Sequence, residues 1–147
     1  MRIYLVVLLV FVLSACASEP LIKQTVSGNA EAVFKDTSIE EVRSKLVASC
    51  SMRGLMVEES SNNRVICGKT LTGGNAVIAS LTVGTKYSTD PVHKASFVLF
   101  STGSDTMVVA TQWIESQTAY GQTRRQELTS NKQKNDLQSF LFSLGAR

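Results

Sequence analysis

An α+β two-layer sandwich, with an antiparallel sheet of about five or six strands and two helices on one face, is the fold this sequence predicts. Three observations lead there. Hydrophobic periodicity reads as strand, helix, about five consecutive strands, then helix, without the strand-helix alternation that builds a parallel sheet. The connections within the strand block run from about three to eleven residues, enough for hairpins and too short for a parallel crossover. The chain has 147 residues, 44% of them apolar and 18% charged, which are globular values for one domain. That domain is expected over residues 25–147.

The first strand is expected over residues 26–34, where Val26, Gly28, Ala30, Ala32 and Phe34 recur with period two. The period then changes. Ser38-Ile39-Glu40-Glu41 reads as a capping box, and Ile39, Val42, Leu46, Val47 and Cys50 follow on one helical face before Gly54 ends the helix. Residues 55–59 and 64–70 are strand-like runs joined by Ser60-Ser61-Asn62-Asn63, whose side chains suit a hairpin turn. A second turn is expected at Thr72-Gly73-Gly74-Asn75, followed by a strand on the alternating Val77, Ala79, Leu81 and Val83. A loop of eleven residues leads to longer apolar runs at 95–100 and 106–114, split by the turn residues 101–105. The last helix is expected from Ser130 or Asn131, with Ser130 and Gln133 as a second capping box and Leu137, Phe140, Leu141 and Leu144 facing the core.

The first sixteen residues stand apart from this pattern. Arg2 carries one positive charge, and residues 3–13 form an unbroken apolar run. Eleven residues cannot span a hydrocarbon core of about 30 Å, which needs about 20 in a helix. The run has the size of a signal-peptide core and ends in the small residues of a cleavage site. Leu13-Ser14-Ala15-Cys16 resembles the lipobox of bacterial lipoprotein precursors. That resemblance covers only the leader. It implies removal of residues 1–15, with diacylglycerol and an acyl chain on Cys16; apart from that lipid no cofactor is expected. Ala17 in place of an aspartate after the cysteine implies, by the same resemblance, the periplasmic leaflet of the outer membrane. Several acyl chains hold where one would not, at about 0.8 kcal/mol per buried CH2. Residues 16–24 would then be the lipidated cysteine and a short tether; the eight residues after Cys16 reach about 26 Å when fully extended.

Three cysteines become one lipid attachment point and one pair, Cys50 and Cys67. A bridge between them would close a loop of 17 residues and stabilise the fold by roughly 3 kcal/mol. Two free thiols packed as small apolar side chains are the alternative. The spacing is not the Cys-x-x-Cys of a redox centre.

Chemistry-bearing residues are sparse. His93 is the only histidine and is expected in a loop, so neither a catalytic dyad nor a zinc set assembles around it from sequence. The adjacent carboxylates Glu40-Glu41 and Glu58-Glu59 belong to a helix N-terminus and a hairpin. Gly73-Gly74 lacks the Lys-Ser or Lys-Thr of a phosphate loop. A net charge of +3, concentrated only at Arg124-Arg125, Lys132 and Lys134, falls short of a nucleic-acid footprint, and no nucleic-acid partner is expected. Trp113, with Tyr120, Arg124 and Arg125 on the polar stretch after it, and Tyr87 in the long loop, form a candidate recognition surface; the alternative makes Trp113 a core residue.

No catalytic residue is assigned. The preferred expectation is a non-catalytic lipoprotein that contacts the membrane through its anchor and binds an envelope protein nearby, similar in architecture to accessory lipoproteins of outer-membrane assembly and secretion machines. The alternatives are an envelope hydrolase or peptidoglycan-active enzyme, which would need carboxylates or His93 converging in a cleft, and a small-ligand carrier with a large apolar pocket.

Overall fold

The computed structural model describes residues 19–83, 90–118 and 120–147. Cys16, the leader and Tyr87 lie outside them. The element order is β1 (Ala30–Phe34), α1 (Ile39–Met52), β2 (Met56–Ser61), β3 (Arg64–Thr70), α2 (Gly73–Val83), β4 (Val92–Thr102), β5 (Asp105–Gln117), β6 (Thr123–Glu127) and α3 (Asn131–Ser143). All strand pairs are antiparallel, in the order β1-β5-β4-β3-β2, with β6 beside the far half of β5. The α+β class and the six-strand sheet therefore stand.

Strand alternation divides the sheet into two faces. On β4 and β5, Phe97, Leu99, Val108 and Ala110 are buried, and the cross-strand register puts them beside Ala30, Ala32 and Phe34 of β1 and Val65 and Cys67 of β3. Val42, Leu46 and Cys50 of α1 and Leu137 and Leu141 of α3 close this core. Ser38 caps α1 by accepting from the Glu41 N–H, and Gly54, at φ 69°, follows its C-cap. The capping box of α3 is complete, with Ser130 and Gln133 bonded reciprocally. Cys50 is joined to Cys67 by a disulfide, so the helical stripe of α1 is tied covalently to the middle of β3.

Four expectations are corrected. Residues 26–29 form a turn, and β1 starts only at Ala30. Residues 73–83 are a helix, so the described residues hold three helices and the expected turn at Gly73 is a helix start. The reason lies in the pairing: β3 is already bonded to β4, and the Leu71 N–H donates to Pro91 O at 2.8 Å, closing the base of the excursion. A segment held outside the sheet has no ladder to join and must satisfy its own backbone, which a helix does. β4 begins at Val92, so His93 is a strand residue. Residues 123–127, expected as a polar extension, form the edge strand β6.

The outer edge of β1 is closed without another strand. Gln138, buried on α3, accepts from the Glu31 N–H at 3.0 Å and donates to Glu31 O at 2.8 Å. The Arg147 backbone exchanges two hydrogen bonds of 2.9 Å with Val33. Together they satisfy the outward groups of this edge.

Candidate functional site

The sheet face opposite the core carries two different surfaces. Toward the β6 end, Lys94 of β4 and Trp113 of β5 are cross-strand partners. Lys94 Nζ sits 2.7 Å from Glu58 and 2.9 Å from Glu115. Glu58 reaches it because β2 carries a register shift between Val57 and Glu59, and because Gly68 opposite Lys94 leaves the space a side chain would fill with the Glu58 carboxylate. The other Glu115 oxygen accepts from the Trp113 indole N–H at 3.1 Å, and the Arg125 guanidinium stacks 3.8 Å above the indole while pairing with Glu127. The chain of charges thus crosses the sheet from β2 to β6. Burial opposes the charge on Lys94, but the hydrogen bonds it donates to Glu58 and Glu115 outweigh it and hold the ammonium above its ordinary range. Burial likewise opposes Glu115, and the bonds from Lys94 and Trp113 hold it below the carboxylate range.

Farther along the same face a short apolar strip lies between Arg64 of β3, opposite Val98, and Glu31 of β1, opposite Val109. Val98 lies opposite Val109, Phe100 opposite Met107, and Val33 beside Met107, with Ile66 next to them on β3. Phe100 is 47% exposed, and Val33, Ile66, Val98, Met107 and Val109 are half-buried. All three helices pack on the other face, so among the described residues no helix covers this apolar strip.

The helix side has a cleft of about 770 Å³ where α2 leans over β5 and the start of α3. Leu71, Ile78, Ala79, Ile114 and Leu128 line it, with His93 and Gln112 at its floor and Asp136 at its rim. Gln112 Nε2 donates to Gln133 O at 2.7 Å, which turns its Oε1 toward His93 Nε2 at 2.8 Å. Since that oxygen can only accept, His93 Nε2 is the donor in this contact. The Ser130 hydroxyl in the cleft wall is engaged in the cap of α3. The polar floor is thus a bonded relay able to orient a ligand, with five apolar side chains around it.

The residues singled out from sequence are therefore dispersed. Cys50 and Cys67 are bonded to each other. Trp113 and Arg125 are brought together, but Trp113 is only 4% exposed and its ring is covered by the guanidinium. Tyr120 stands 93% exposed in the turn before β6. Arg124 lies opposite Ser116, on the helix-bearing side of β6, away from Arg125. Lys132 pairs with Asp136 at 3.4 Å. Lys94, Glu115, Gln112 and the apolar strip were missed; period two from Val92 would have placed Lys94, Val98 and Phe100 on one face. Among the described residues no three His, Cys, Asp or Glu side chains are grouped to hold a metal ion, and no helix is long and apolar enough to cross a membrane. Comparisons with protein-family models, with curated proteins and with solved structures return no match.

Proposed function

We propose that this chain is an envelope lipoprotein, cleaved before Cys16 and anchored by lipid on that cysteine, whose folded domain is a non-catalytic protein-binding accessory module of the membrane-proximal space. The observation that carries the anchor is the charged and apolar leader ending in Leu13-Ser14-Ala15-Cys16. The Cys50–Cys67 disulfide supports the same address, because such bridges persist in oxidising compartments such as the periplasm. The outer membrane is the favoured site, from Ala17 after the cysteine. The protein-binding part rests on the apolar strip of Ile66, Val98, Phe100, Met107 and Val109, on a sheet face that no helix among the described residues covers, the kind of surface that marks interaction sites.

The test is expression in a Gram-negative host beside Cys16→Ala. Wild type is expected in the membrane fraction with the mass of acyl chains on Cys16, and the variant in the soluble fraction. A photo-crosslinking residue in place of Phe100 is expected to give a discrete adduct that the same residue in place of Lys45, on α1, does not. An unlipidated wild type ends the anchor reading, and absence of an adduct from position 100 ends the binding reading. A second reading, a small-ligand carrier, is favoured by the cleft beneath α2, whose volume lies in the range of ligand pockets. Tritrated apolar probes that bind wild type and not Ile114→Asp would support it.

A further inference from the structure

The chain emerging toward the described domain is fixed almost at once. Asn131 Nδ2 donates to Glu19 O at 2.8 Å, Asn135 Nδ2 donates to Pro20 O at 2.8 Å, and the Ile22 N–H donates to Asn135 Oδ1 at 2.9 Å. Lys23 continues along the same side of α3, 5.9 Å above the Phe142 ring and within 3.4 Å of Arg147 O. Only Ala17 and Ser18 separate Cys16 from Glu19, so chain geometry keeps Glu19 within about 10 Å of Cys16, against the 26 Å or so that eight extended residues would reach.

The surface beside this pinned segment is unusual in what it exposes. Ile22 is 55% exposed, Val26 is fully exposed at the tip of the turn before β1, and Phe142 is partly exposed nearby. Lys23 and Lys134 line the groove between this segment and α3, with Glu19 and Glu31, which accepts from the Ser27 N–H at 2.9 Å, as the acids near it. Exposed apolar side chains with Lys23 and Lys134 alongside suit the boundary between acyl chains and anionic head groups. The segment runs along α3 on the side of the β1 edge, and β2 is the opposite edge of the sheet, four strand spacings or about 19 Å away.

We propose that the domain rests on the bilayer by this face, with Ile22 and Val26 in the lipid interface, Lys23 and Lys134 at the head groups, and the sheet standing on its β1 edge. The occupant of the patch is the lipid surface that holds the Cys16 anchor, because a tether this short leaves the pinned segment within reach of it. The inference rests on the lipoprotein reading above and goes beyond it by fixing an orientation.

The experiment uses the acylated full chain in vesicles of phosphatidylethanolamine and phosphatidylglycerol doped with phosphatidylcholine brominated in its acyl chains. Val26→Trp and Met56→Trp are compared, with wild type supplying the Trp113 background. The emission added by Val26→Trp is expected to shift to the blue and lose most of its intensity to the bromines, while that added by Met56→Trp on β2 is unaffected. Intact mass is recorded on the same samples. Lipid on Cys16 with no quenching at position 26, or with equal quenching at both positions, overturns the orientation and leaves the anchor standing. No lipid on Cys16 removes the anchor and the orientation with it.

Discussion

Lys94 illustrates how one side chain organises a face. It is a strand residue, largely covered, held between Glu58 and Glu115, and its partner Glu115 also receives the indole of Trp113. The consequence is a defined dependence on pH. Glu115 is held below its ordinary 4.5, so its contribution is present above that range and is lost as pH falls through the lowered value. Lys94 is held above its ordinary 10.5, so its contribution is full below that value and is lost as pH rises through the raised one. Asp105, held down first by Lys35 and then by the Asp36 N–H, and Glu59, held down by Arg64, act in the acid direction as well. Glu115→Gln is expected to lower the urea midpoint at neutral pH and to flatten its fall below about pH 4.5, so that the two curves converge in acid. Parallel curves for wild type and variant would remove Glu115 from the account. This network was not legible beforehand because its members come from β2, β4, β5 and β6. A linear run such as Arg124-Arg125 reads as one basic patch, whereas the strand turns Arg125 onto Trp113 and Arg124 to the other side.

Elements whose signals are local were legible, and those whose state depends on pairing were not. The caps at Ser38 and Ser130 could be read from four residues each, because the donor and acceptor lie within one turn. The stripe of α1 pointed Cys50 at the sheet, where Cys67 meets it. Residues 73–83 carry small and apolar residues at both parities, so period two and period 3.6 compete, and the β3–β4 pairing decides for the helix. β6 is polar throughout, and its ladder with β5 supplies what its side chains do not signal. The disulfide makes the α1–β3 contact the strongest local constraint in the sheet layer. Replacing both cysteines by alanine is expected to cost about 3 kcal/mol, since the bridge closes a loop of 17 residues. Denaturant unfolding with and without reductant checks it; wild type in reductant should approach the double variant. A wild type indifferent to reductant would place the stabilisation in packing alone.

The molecule as a whole is one sheet with unequal edges. β2 is short, carries Glu58, Glu59 and a register shift, and is poorly suited to pairing with another chain. β1 is sealed by Gln138 and by the backbone of Arg147. Deleting Ala146 and Arg147 is expected to cost roughly 1–3 kcal/mol through two backbone hydrogen bonds, and to leave Val33 open to a second molecule. Light scattering should then show concentration-dependent self-association that wild type lacks; a strictly monomeric deletion would mean that Gln138 suffices. The pinning of Glu19 and Ile22 on α3 also has a mechanical side. A pull applied through residue 16 is borne first by the amides of Asn131 and Asn135, and reaches the β1–β5 ladder only after those bonds have parted. The two asparagines therefore stand in series with the core, like a fuse: under the lipid anchor proposed above, a load through residue 16 would release a short length of chain before it moved a strand.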